Sequence, residues 1–260
     1  MPTGEALDEA TRAALVEYLQ RHGDDRLVLG HRLSEWCGHG PILEEDIALA
    51  NIALDFVGQA NLLLGLAGQL EGQGRDADSL AYFREAVQFR NLQLVELPKG
   101  DFGFTIVRQF LFDAYDVPLL DALRRSTHAE LGGIAAKAFK EARYHLRHSA
   151  EWVIKLGDGT EESRSRVQSA LDELWRYTGE LFAADDVDRR LAAAGVAPDP
   201  AALQGAWRDR VAAVVDQATL ALPESSPAML GGRRGRHTEH LGHLLAEMQI
   251  VARSFPGATW

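Results

Sequence analysis

The sequence predicts an all-α protein, a helical bundle, on three observations. Apolar residues recur with a helical period along nearly the whole chain, no stretch alternates as a half-buried strand does, and Gly and Pro gather in short clusters between long periodic segments. Long helices joined by short breaks pack as a bundle.

Taken in order, a short helix is expected over about residues 5–21 and a second over 24–37, stopped by "CGHGP". Leu43 to Leu70 follows as a strongly apolar helix, closed by "EGQGRDAD". Residues 78–96 read as helical until "PKGD", and Asp101 is a start signal for "FGFTIVRQFLFDAYDVPLLDALRRS", where Pro118 should kink or end the helix. A long helix over 127–156 stops at "GDGT", and Thr160 opens the next. "GVAPDP" leads into a helix over 200–220, "LPESSPAMLGGRRG" is the longest loop, and "HTEHLGHLLAEMQIVARSF" forms the last helix before Pro256-Gly257.

Composition narrows the class of function. At 260 residues, 46% hydrophobic and 25% charged, the chain can bury a large core and has the balance of a folded globular protein. A net charge of −11 argues against nucleic acid or an anionic membrane as the main partner, since both call for a basic face. The dense basic run "GGRRGRH" at 231–237 is either a solvated loop or, through Arg233, Arg234 and Arg236, a contact for an acidic partner or a phosphate-bearing ligand. The single cysteine, Cys37, excludes a disulfide framework within the chain and fits a reducing cytoplasm. The N-terminus lacks the basic and apolar regions of a signal peptide, and Asp55, Gln59 and Asn61 interrupt the best membrane-span candidate.

The stretch "IALDFVGQANLLLGL" poses the chemical question. Asn51, Asp55 and Gln59 recur every four residues on a helix that is otherwise Ile, Leu, Ala, Phe and Val, so a carboxylate is expected inside an apolar environment. A buried acid needs a metal, a cation or a hydrogen-bond network. Bundles that bind two iron atoms take a Glu from each of two helices and Glu-x-x-His from each of two others. Here the corresponding tetrads are "DFVG", with Gly58 three residues after Asp55, and "EARY", with Tyr144 three residues after Glu141. His145 and His148 lie four and seven residues beyond Glu141, near its face. With Glu35 and Asp113 these residues compose either a metal-free polar network or an altered metal site. Gln109 is a further polar group for the same interior, and Arg108, Lys137, Lys140 and Arg143 offer neutralising partners. His240 with His243, or His243 with Glu247, also has metal-compatible spacing.

The segments "LSEWCGHGPILEEDIALANIALDFVGQA", "FRNLQLVELPKGDFGFTIVRQFLFDAY", "KAFKEARYHLRHSAEWVIKLGDGT", "LWRYTGELF" and "HTEHLGHLLAEMQ" together resemble, in order, the C-subunit family of bacterial phenylacetyl-CoA 1,2-epoxidases, which are multicomponent ring oxygenases. The resemblance runs from about residue 25 to Trp260 and sets residues 1–24 apart as an N-terminal extension, leaving 25–260 as the ferritin-like domain. It implies a ferritin-like helical bundle with additional C-terminal helices that is not itself catalytic and that carries no cofactor, with Asp55-x-x-Gly58 as the remnant of a ligand pair. It further implies partners: an A subunit whose di-iron centre epoxidises the ring, paired with this chain in a heterodimer or larger assembly, and a small bridging B subunit. A reductase with FAD and a 2Fe-2S cluster would deliver electrons from NADPH. The alternative is a self-sufficient, iron-dependent carboxylate-bundle oxygenase.

Overall fold

Isolated helices are marginal in water, and most of their stability comes from burying an apolar face against another element. The chain meets that need with two long helical hairpins. A computed structural model describes residues 7–224 and 227–258, which divide into two compact units. Residues 7–98 with 231–258 form the terminal unit, and 99–224 with 227–230 the central unit. Among the described residues the structure is all-α, without a strand.

In the terminal unit, α1 (Glu9–Ser34) and α2 (Leu43–Glu71) make the hairpin. The start expected for the first helix, at residue 5, lies outside the described residues. The Asp8 side chain caps α1 by accepting from the Thr11 amide at 2.9 Å, and Gly72, at φ 71°, closes α2 in the left-handed conformation that glycine adopts without strain. The helix break expected between residues 21 and 24 is absent. Gly23 is instead a packing position: a Cβ there would fall 2.7 Å from Leu64 Cδ2, and one on Gly30 would fall 3.1 Å from the Ala53 carbonyl oxygen. These glycines let the two helices approach closely. The boundary drawn at residue 24 therefore lies inside a continuous helix.

The helix expected over 78–96 is also divided, into α3 (Ala77–Tyr82), a 3₁₀ turn at Ala86–Gln88 and α4 (Gln93–Glu96). The reason is tertiary. Asp24 accepts from the Arg90 amide at 2.8 Å and Asp25 from the Leu92 amide at 2.8 Å, so buried carboxylates of α1 take up backbone donors of this segment. The last helix of the chain, α10 (Glu239–Ser254), completes the unit, with Gln249 donating to the carbonyls of Ala81 and Arg84 at 2.9 and 3.1 Å.

The central unit repeats the hairpin with α5 (Phe102–Leu123) and α6 (Ala129–Gly157). Asp101 caps α5 as expected, accepting from the Phe104 amide at 2.8 Å, whereas Pro118 does not end the helix, which continues to Leu123. Thr160 caps α7 (Glu161–Trp175), and α8 (Asp186–Ala193) and α9 (Gln204–Gln217) finish the unit. Trp207 of α9 anchors this part: its ring lies 5.5 Å from Trp175 and 5.2 Å from Phe182, and its Nε1 donates to the Leu111 carbonyl at 3.0 Å. The indole thus contributes area while its polar atom stays satisfied.

Candidate functional site: the polar seams of the two hairpins

α2 does not behave as a helix buried all round. Its inner face, with Ile52, Phe56, Gln59, Ala60 and Leu63, is buried, while Leu43, Ile47 and Leu54 on the opposite side are 72%, 53% and 69% exposed. The polar series drifts across the boundary: Asn51 is exposed, Asp55 half-buried and Gln59 buried. Residues four apart are offset by about 40° around a helix, enough over two steps to pass from solvent to core. α2 is long and apolar enough to cross a membrane by length and composition, yet one of its two apolar faces is core of the terminal unit.

Each candidate tetrad is displaced by one residue from the buried face. Gly58 and Tyr144 are exposed, Tyr144 by 46%, whereas their neighbours Gln59 and His145 are 2% and 0% exposed. A step of one residue turns a side chain by about 100°, so the tetrads that face the interior are Phe56-x-x-Gln59 and Ala142-x-x-His145. This corrects the placement of Gly58 and Tyr144 in a buried network. Glu141 and His148 are half-buried, and the Tyr144 ring stacks on His148 at 6.4 Å. Glu35 sits at the C-terminal end of α1 and accepts from Arg32 at 2.6 Å.

In the seam of the terminal hairpin, Arg26 of α1 is 1% exposed and donates through Nε to Gln59 Oε1 of α2 at 2.9 Å. Toward the loops, Asp24 holds the guanidinium of Arg84, and Asp25 that of Arg233 at 2.8 and 3.0 Å. Burial pushes the Asp25 carboxyl up, against the opposing pull of Arg233, the Leu92 amide and Arg26. Burial and the surrounding Arg233, Arg26 and Arg21 hold His22 well below the usual imidazole range. Arg233 also donates to the carbonyls of Arg21 and Arg90 at 3.1 and 2.8 Å, so its guanidinium is committed inside the unit, while Arg234 and Arg236 are exposed. His237 meets Glu96 at 2.7 Å and the Phe89 carbonyl at 3.0 Å. Burial alone would lower its pKa, but the bond and charge of Glu96 prevail and hold it above the ordinary value.

The seam of the central hairpin has a different chemistry. Asp113 of α5 is fully buried and accepts from Ser149 Oγ of α6 at 2.8 Å and from Gln109 Nε2 at 2.6 Å. Burial raises its pKa to about 7, opposed by His145, Ser149 and Gln109 and assisted by the charge of Asp116. Asp113 and His145 are thus two members of the sequence-derived set that the fold brings into electrostatic contact. Ser149 was not singled out from the sequence, nor were Asp24, Asp25, Arg84 and Glu96. The adjacent acids in "DDRLVLG", flanked by helical apolar residues, were the available signal.

A carboxylate-bridged metal pair needs four carboxylates and two imidazoles converging from four helices. The buried polar side chains include Arg26 and Gln59 on α1 and α2, and Arg108, Gln109, Asp113, Asp116, His145 and Ser149 on α5 and α6. This donor set does not fit two iron ions, and buried Arg26 and Arg108 oppose added positive charge. Among the described residues no group of three or more His, Cys, Asp or Glu side chains is arranged to hold a metal ion, the His240, His243 and Glu247 series of α10 included.

The two hairpins and their buried polar seams define a helical-bundle protein with charged and hydrogen-bonding side chains in its interior. A family model described as phenylacetic acid catabolic protein matches residues 1–260, and the chain belongs to that family. It is 50% identical over 246 residues to the C subunit of the 1,2-phenylacetyl-CoA epoxidase of Escherichia coli strain K12, an alignment that covers 95% of this chain and 99% of the relative.

Proposed function

We propose that this chain is the non-catalytic, structural C-type subunit of a phenylacetyl-CoA epoxidase serving phenylacetic acid catabolism in the cytoplasm. It pairs with and supports an A-type subunit that carries the di-iron centre. A small B subunit and a reductase using NADPH, FAD and a 2Fe-2S cluster complete the assembly, and the chain itself holds no cofactor. The full-length similarity to the C subunit of such an epoxidase supports the assembly. The single observation that supports the structural role is the seam chemistry: the buried pairs Arg26–Gln59 and Asp113–Ser149 do not supply the four carboxylates and two imidazoles that a di-iron bundle needs.

The exposed apolar side of α2 supports the pairing. Leu43, Ile47 and Leu54 share it with Gly58 and Gly65, whose missing side chains leave open space in which another helix can approach closely. The test is to purify the chain from iron-replete cells alone and with its A-type partner. The expected result is iron far below one atom per isolated chain, a stable complex with the partner, and loss of that complex in Leu54→Asp with the isolated chain still folded. Near two irons per chain with dioxygen-dependent turnover would overturn the reading.

A further inference from the structure

Between the exposed carboxylates Glu130 and Glu151, the outer face of α6 carries a cationic stretch unlike the rest of this acidic chain. Lys137, Lys140, Arg143 and Arg147 are all exposed, and at 3.6 residues per turn they fall with Tyr144 inside an arc of about 120°. The buried positions Ala138, Ala142, His145 and Ser149 occupy the opposite side. Among the described residues none of the four cations is held in an ion pair; Arg143 lies 5.9 Å from the Phe139 ring and Arg147 5.4 Å from that of Tyr144. Elsewhere in the chain, exposed arginines such as Arg166 and Arg189 are matched to carboxylates.

We infer that this ridge is a docking surface for an acidic face on another subunit of the epoxidase assembly, an inference that rests on the function proposed above. Charge complementarity names the occupant. Four cations along about 15 Å of helix form a local positive stripe on a chain of net charge −11, and beyond a Debye length of about 8 Å the distant negative charge is screened. The shape favours a protein over a small anion, because the side chains lie along a convex helix face and converge on no cavity. It also favours a protein over nucleic acid or an anionic membrane, since those extended surfaces would meet the acidic remainder of the chain as well. Tyr144, 46% exposed between Lys140 and Arg147, supplies the aromatic and arginine pairing that dominates binding energy at protein interfaces. Contacts of this charged kind govern encounter rate and salt dependence.

The test replaces Lys137, Lys140, Arg143 and Arg147 together by Gln, which keeps helix propensity, and in a second variant by Glu. Binding of the full chain to each purified epoxidase subunit is followed across a tenfold range of NaCl, with circular dichroism confirming the fold. The expected result is that one association weakens about tenfold or more in the Gln variant and further in the Glu variant, loses most of its salt dependence, and does so through a slower on-rate. Wild-type binding that neither variant changes by more than about twofold at any salt concentration overturns the ridge alone and leaves the proposed function standing. A wild-type chain that binds no epoxidase subunit overturns both. An effect confined to self-association, to coenzyme A or to phosphatidylserine vesicles overturns the inference by assigning the ridge to another ligand.

Discussion

The two hairpins answer the same problem, polar groups inside a helix seam, with different partners. The terminal unit buries full charges and compensates them by ion pairing: Asp24 with Arg84, Asp25 with Arg233, and Arg26 hydrogen-bonded to Gln59. The central unit also buries Arg108 and Asp116, but its Asp113 carboxyl lies beside a hydroxyl, an amide and an imidazole and has its pKa raised to about 7. The source of the partners explains the difference. In the terminal unit the cations arrive on segments remote in sequence, at residues 84 and 233, and they bind the returning chain to α1. In the central unit the partners belong to α5 and α6 themselves, so they orient one helix on the other. Paired charges make a seam sensitive to loss of one partner, whereas a protonatable seam is sensitive to pH.

The comparison breaks most visibly at Arg233. Replacing it with Met leaves the Asp25 carboxylate buried without its guanidinium, and stability to urea should fall by about 3–5 kcal/mol. Adding Asp25→Asn should restore a substantial part of that loss. A decrease of less than about 1 kcal/mol would show that the pair behaves like an exposed one.

In the central unit the pH dependence itself is the signature. The folded pKa of Asp113 lies above its ordinary 3.8, at about 7, so between those values the folded state binds the proton more tightly than the unfolded chain. Stability from this group is therefore greatest below the ordinary pKa, declines as pH rises through that window, and is constant above the folded value. Asp113→Asn should remove this decline, making the variant's unfolding free energy gain on wild type between acidic and neutral pH. Parallel wild-type and variant curves from urea titrations across the window would contradict the assignment.

A smaller effect sharpens the contrast. Gln59→Leu removes the acceptor 2.9 Å from Arg26 Nε while preserving bulk, and a cost of about 1.5–3 kcal/mol is expected for a hydrogen bond to a charged group. That cost should vary little between mildly acidic and neutral pH, unlike the Asp113 effect. Urea unfolding of the variant at two pH values checks both statements.

The sequence by itself determined the helical class, several starts and stops, and the departure from a di-iron motif. Those features are local: Asp101 and Thr160 cap the helices they precede, Gly72 lies in the loop that closes α2, and Glu-x-x-His spacing is a property of one helix. Only the tertiary structure decided which polar residues face inward, because one residue of register turns a side chain by about 100° and a helix apolar on two sides does not reveal which side is core. Hence Gln59 and His145, not Gly58 and Tyr144, occupy the seams, and the outer face of α2 remains exposed. Tertiary structure also decided the course of residues 78–96, where Asp24 and Asp25 draw backbone amides out of a helix that local propensity favours. Arg233, read from its basic run as part of a solvated loop or as a partner contact, is bound to Asp25 for the same reason: a partner 208 residues away in sequence leaves no local trace.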